Sequence, residues 1–199
     1  MILYEFGKNS EALALLRRAQ EQAPADPFFW GEMALNEMRL GNPAKAIPFL
    51  EKYVSAKPAD AWGHANLARA YAEADRSAEA ERSYREALRI NPRMSIASLW
   101  LGQLLISTGR KAEAQPLLAK FQELRGYETQ EHNLKMALLR APDHVPTLVQ
   151  LARVRYLLGK HREAVSTFER AIRLAPGDSK LRHLYEEMVR SLERKADGG

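Results

Sequence analysis

The sequence predicts an all-α protein built from a repeated pair of antiparallel helices, and three observations predict it. Ala, Leu, Glu and Arg dominate the 199 residues and β-branched residues are few, a composition that favours helix over sheet. Ala12, Ala46, Ala80 and Ala114 recur at a step of 34 residues; Pro24, Pro58 and Pro92 keep that step, as do Pro142 and Pro176. Gly7, Gly41 and Gly109 hold one register between these marks, with Asp75 in the intermediate slot. A fixed period of this length is the signature of stacked supersecondary units.

Each period reads as two helices. The first carries apolar residues at helical spacing, as in Leu67, Ala68 and Tyr71. A break follows at Gly41, Asp75, Gly109 or Gly159, where glycine takes the left-handed conformation that ends a helix. The second helix has a small inward residue, Ala46 or Ala80, where two helices must approach closely. A larger apolar residue, Leu50 or Tyr84, lies four on, and Leu16 and Leu118 keep that register. Proline then stops the helix, because it lacks the N–H and restricts the residue before it. The resulting borders are a truncated first repeat at 1–24, repeats at 27–58 and 61–92, an irregular repeat at 95–142, a repeat at 145–176 and a capping helix at 178–195.

Three departures from regularity carry expectations of their own. Gly7 lies at the mid-repeat turn, so the first unit has only Met1–Phe6 as a stub of its first helix. The helix around Ala12, Leu13 and Leu16 is therefore expected to keep an exposed apolar edge, either because the chain is a fragment of a longer array or because that edge docks a partner or a second copy. From Ala114 to Ala164 the register slips by 16 residues, with the surplus around Arg125–Arg140. Leu134, Ala137, Leu138 and Pro142 look like the end of a second helix without a first. A single helix from about Lys111 to Arg140, with Gly126 as a soft point, is preferred to two helices broken near Gly126; Pro116 is compatible with it near the helix start. After Pro176, the residues Leu181, Leu184, Tyr185, Met188 and Leu192 form one apolar stripe, a helix that seals the last repeat, with Ala196–Gly199 fraying.

Aligned, one period reads Trp30, Met33, Ala34, Ala46, Leu50, Pro58, and the next His64, Leu67, Ala68, Tyr71, Ala80, Tyr84, Pro92. A third has Leu101, Gly102, Ala114 and Leu118, and the last Leu148, Leu151, Ala152, Ala164, Phe168 and Pro176. These residues resemble the tetratricopeptide repeat pattern, W-x2-L-G-x2-Y, then A-x3-F, then P, over nearly the whole chain. The resemblance implies a right-handed α-solenoid of antiparallel helix pairs, a superhelix with the first helix of each pair lining a concave face. The family is defined by its scaffold, so it implies much less about function.

On that implication the concave face includes Phe28 and Glu32, then Trp62, Asn66 and Arg69, then Trp100 and Gln103, and finally Gln150, Arg153 and Tyr156. Asn66, Gln103 and Gln150 would hydrogen-bond an extended backbone, Trp62 and Trp100 would supply apolar area, and Arg69 and Arg153 would pair with an acid. The alternative for the two tryptophans is packing between repeats, and Asn66 also fits the family's ordinary pattern. Some tetratricopeptide co-chaperones clamp a chaperone's C-terminal carboxylate with Lys and Asn, Asn, then Lys and Arg on three first helices. Here only Asn66 matches, because Gly31, Leu35, Ile96 and Trp100 stand at the other positions.

Other chemistry finds no support. There is no cysteine, which excludes disulfides and thiol chemistry without fixing the compartment, cytoplasmic or periplasmic. No apolar run reaches the ~20 residues of a membrane span, and Met1–Phe6 does not open a signal peptide. The net charge of +5 lies in the second half: residues 1–99 carry 13 basic and 13 acidic residues, residues 100–199 carry 17 and 12. That excess is scattered, which reads as solvated helix faces rather than a phosphate track and argues against nucleic acid. His64, His132, His144, His161 and His183 show no metal-ligand spacing, no G-x-S-x-G elbow occurs, and Glu186-Glu187 lies on a solvated face. The expectation is a non-enzymatic scaffold without a cofactor, binding a peptide or partner helix in the groove during assembly of a larger complex, with self-association through the truncated first repeat as an added option. The alternatives are an accessory region of a larger enzyme and a helical-repeat nucleic-acid binder.

Overall fold

Aspartate caps and glycine stops set several of the helix ends. The computed structural model describes residues 9–197, which fold into ten helices with no strand among the described residues. Helix α1 (Asn9–Gln20) is followed by α2 (Pro27–Arg39), α3 (Pro43–Ala56), α4 (Ala61–Glu73), α5 (Ser77–Ile90) and α6 (Ser95–Ser107). Then come α7 (Lys111–Arg140), α8 (Val145–Leu157), α9 (His161–Leu174) and α10 (Ser179–Asp197). The expected Met1–Phe6 stub lies outside the described residues. At the other end α10 runs to Asp197, and Gly198–Gly199, expected to fray with Ala196, also lie outside.

Asp26 caps α2 by accepting from the Phe28 N–H at 2.9 Å, Asp60 caps α4 through the Trp62 N–H at 3.0 Å, and Asp178 accepts from the Leu181 N–H at 3.0 Å. Asp143 does not cap α8. His144 holds the cap position without a side-chain bond to the backbone, and Asp143 instead pairs with Arg170 at 3.1 Å. Gly41, Asp75, Gly109 and Gly159 all have positive φ, between 60° and 81°. In each case the next amide donates to the carbonyl five residues back: Asn42 to Glu37, Arg76 to Tyr71, Arg110 to Leu105 and Lys160 to Arg155, at 2.7–2.9 Å. These are four Schellman ends, so the mid-repeat mark is a helix stop at each of its occurrences among the described residues.

Pairs pack as the period predicts. Ala46, Ala80, Ala114 and Ala164 are buried, as are Leu50, Tyr84 and Phe168 four residues on. The structure reverses the expectation for the first repeat: Ala12, Leu13 and Leu16 are buried, and the two leucines pack on Met33, Phe29 and Trp30 of α2. A neighbouring helix covers that stripe, and the large apolar residue that α1 leaves exposed is Leu15.

Helix α7 is unbroken over 30 residues. Its first half serves the repeat of α6, where a Cβ added to Gly102 would stand 2.8 Å from Leu118. Its second half serves α8 and α9 through Leu138 and a buried charge cluster. In that cluster Glu131, 6% exposed, accepts from Lys160 Nζ at 2.6 Å and pairs with Arg155 at 3.3 Å; Arg155 also donates to Thr167 at 2.6 Å. Glu81 of α5 receives Arg110 with the same separation of 29 residues. The second half of α7 thus stands to α8 and α9 as α5 stands to α6 and α7, which accounts for the 16 surplus residues: a second helix is repeated without its first.

The contacts gather into two compact units, one ending at Phe121 and the other beginning at Gln122. A 30-residue helix is ~45 Å long and a 13-residue partner ~20 Å, so one partner cannot cover it. The border falls where α7 passes from one to the other.

Candidate functional site

In the first unit the site is built on α4. Trp62, Asn66, Arg69 and Glu73 follow each other at helical spacing and share one face of that helix. The face opens into two recesses.

The first recess, about 180 Å³, lies between α2 and α4 and holds four of the expected residues, Phe28, Glu32, Trp62 and Asn66. Phe28 is 46% and Trp62 57% exposed, unusual for such large apolar groups. The floor is the Tyr53 ring at the end of α3. Gly31 and Gly63 make room for it, since a Cβ at Gly63 would stand 2.7 Å from the ring and one at Gly31 3.2 Å. The Tyr53 hydroxyl donates to Asp60 Oδ2 at 2.5 Å while Asp60 Oδ1 caps α4. Burial, reinforced by that bond, pushes the Tyr53 phenol up to about 12. Lys57 Nζ lies 5.7 Å over the same ring. Glu32 is different: its Oε2 is buried with no hydrogen-bond partner, and burial raises its carboxyl above the ordinary value against the opposing pull of Arg39.

The second recess, about 390 Å³, brings together Arg69, Trp100 and Gln103 with Glu73, Tyr84 and Ser107. Trp100 is half-buried and packs on Tyr84 with ring centroids 6.0 Å apart, so it joins neighbouring repeats while part of it lines the recess. Arg69 lies 5.8 Å over the Trp100 ring, and its Nε is 3.7 Å from Glu73.

In the second unit Arg153 and Tyr156 line a recess of about 490 Å³ with Leu157, Phe168 and four residues of α10: Leu184, Glu187, Met188 and Ser191. The Tyr156 hydroxyl bonds Ser191 at 2.7 Å. Gln150 is exposed and lines none of these recesses. Among the described residues no three His, Asp or Glu side chains gather to hold a metal ion, and no helix is long and apolar enough to cross a membrane.

Sequence reasoning missed Tyr53, Lys57 and Asp60, and it read the α10 residues only as a seal. A signal for the first group was present: Gly31 and Gly63 sit inside helices, where glycine costs ~1 kcal/mol against alanine and so marks a close approach.

Tetratricopeptide repeat family models match residues 66–128 and 147–182, and a model described as a bacterial transcriptional activator domain matches residues 29–92. No curated protein matches the chain. Among solved structures, the crystal structure of MamA is 19% identical over 87% of this chain and 92% of its own, with a TM-score of 0.58. A thermophilic tetratricopeptide repeat protein in Thermus thermophilus is 23% identical over 94% and 93%, with a TM-score of 0.53. The solved structures share the fold, and with the helix pairs, the Schellman stops and the buried alanines in one 34-residue register, the repeat-model matches lead to one conclusion: the chain is a tetratricopeptide repeat protein.

Proposed function

We propose that the protein is a non-enzymatic interaction scaffold that binds a peptide segment or a partner's helix on the face formed by its first helices, in the assembly of a larger complex. The observation that carries this reading is the pair Phe28 and Trp62, two large exposed aromatics bordering one recess. Aromatic anchors beside a pocket are where binding energy concentrates in interfaces. In the first unit Asn66 and Gln103 add amide groups suited to an extended backbone and Arg69 a guanidinium group suited to acids; in the second unit Arg153 offers a guanidinium group at its own recess. Gln150 is the weakest member of the set. The family and its solved relatives support a protein-binding role through the scaffold they share, and catalysis is not needed to explain any recess.

The test is selection of a phage-displayed random peptide library on the purified protein, followed by affinity measurement of the selected peptides. Trp62→Ala should weaken them by roughly 10- to 30-fold with helicity retained. Peptides that bind the variant as well as the wild type would remove the first-helix face from the reading. The match of 29–92 to a bacterial transcriptional activator domain favours a second reading, in which the same face serves the assembly of a transcription regulator. Recovery of a transcription-factor segment as the ligand would favour it.

A further inference from the structure

We propose that the recess between α2 and α4 takes the basic side chain of a partner peptide, an Arg or Lys next to an apolar residue, with its charged head on Glu32 and its aliphatic stem along Phe28 and Trp62. This inference rests on the peptide-binding reading above and specifies its chemistry.

The acceptors and donors of the recess are unequally committed. Both oxygens of Asp60 are in use, one on the Trp62 N–H and the other on the Tyr53 hydroxyl. The Tyr53 hydroxyl is spent on that same bond. Glu32 Oε2 is the exception, a buried carboxylate oxygen with no hydrogen-bond donor among the described residues. Such an oxygen costs stability unless a donor reaches it, and a cationic donor satisfies it best. A water could supply a hydrogen bond but gives no account of the aromatics left in solvent beside it. A basic side chain accounts for both, because its stem is apolar, its head is charged, and the face of an aromatic ring attracts a cation.

Charge selects the same occupant. The recess is lined by two carboxylates, Glu32 and Asp60, and by one ammonium, Lys57, which already lies over the Tyr53 ring; Arg39, outside the lining, draws on Glu32 without hydrogen-bonding Oε2. An acidic peptide side chain would face Glu32 and Asp60. A purely apolar one would leave Glu32 Oε2 buried and unpaired.

The experiment uses the same phage-displayed library, with the selected peptides synthesised and titrated against the wild type, Glu32→Gln, Glu32→Asp, Lys57→Ala and Trp62→Ala, each checked for an unchanged helical spectrum. The expected result is enrichment of Arg or Lys beside an apolar residue, with affinity lost about tenfold or more in Glu32→Gln, partly kept in Glu32→Asp, and weakened by salt. Replacing the basic residue of the peptide by norleucine should cost the wild type that same factor and the Glu32→Gln variant little. Peptides that depend on Trp62 but lack a basic residue and ignore Glu32→Gln would overturn this inference and leave the scaffold reading standing. Acidic peptides lost in Lys57→Ala would overturn it too. Absence of any peptide dependent on Trp62 would overturn both.

Discussion

Single residues here are placed under strain or left unpaired in ways that can be measured. Asp75 holds φ of 60° at a stop where the three equivalent positions are glycine. A non-glycine residue in that region costs ~1–2 kcal/mol, somewhat less for aspartate, and glycine gives part of the gain back through unfolded-chain entropy. Asp75→Gly should therefore stabilise the protein by about 0.5 kcal/mol in urea titration; a lower midpoint would show that the aspartate side chain holds something the turn needs. Glu32 shows the opposite case, since its Oε2 is buried with no hydrogen-bond donor among the described residues and is the atom the proposed ligand would satisfy. Glycine's role was legible in the sequence at the stops, where the register repeats. At Gly31 and Gly63 the sequence marks a close approach but not its partner, because what they accommodate, the Tyr53 ring, arrives from another helix.

At the scale of elements, a helix pair is defined by the gap between its members. Ala80 is fully buried where α5 meets α4. Ala80→Leu should destabilise by roughly 1–3 kcal/mol, read as a fall in melting temperature, because the added atoms must displace packed neighbours; an unchanged value would contradict the pairing. Helix α7 makes a second prediction. Glu131 is held by Lys160 and Arg155, and although burial opposes it, their hydrogen bonds and charges bring its carboxyl below the ordinary value. Its contribution is therefore full above the unfolded carboxylate range of ~4.3 and is lost as pH falls through the lower folded value. Glu131→Gln should cost about 2 kcal/mol at pH 7, reduced from the figure for a fully buried pair because Lys160 is partly exposed, and the gap to wild type should close towards pH 3. A gap independent of pH would mean that Glu131 acts by shape alone. The length of α7 was readable from the surplus of 16 residues, but the cluster around Glu131 was not, since it joins three helices.

For the whole molecule, stability in a repeat array is a sum of local terms, because each repeat touches only its neighbours. The two compact units make this testable. Phe168 is buried between α8, α9 and α10 in the second unit. Phe168→Ala should cost ~3–5 kcal/mol there, and hydrogen exchange should show lost protection confined to residues after Gln122. Loss spread evenly over the chain would mean that it unfolds as one cooperative block.

The sequence by itself determined the repeat: where helices stop, which alanines must be small, and that a second helix is duplicated without its first. These are properties of local backbone preference and of a fixed period, which a linear chain displays directly. Only the tertiary structure decided which side chains border the recesses. It buried the α1 stripe that the sequence left exposed, half-buried Trp100 and left Trp62 in solvent. It also seated Tyr53 and Asp60 beside Glu32, and set the border of the two compact units within α7. Those outcomes depend on which helix covers which side chain, and that is set by packing between residues a repeat apart.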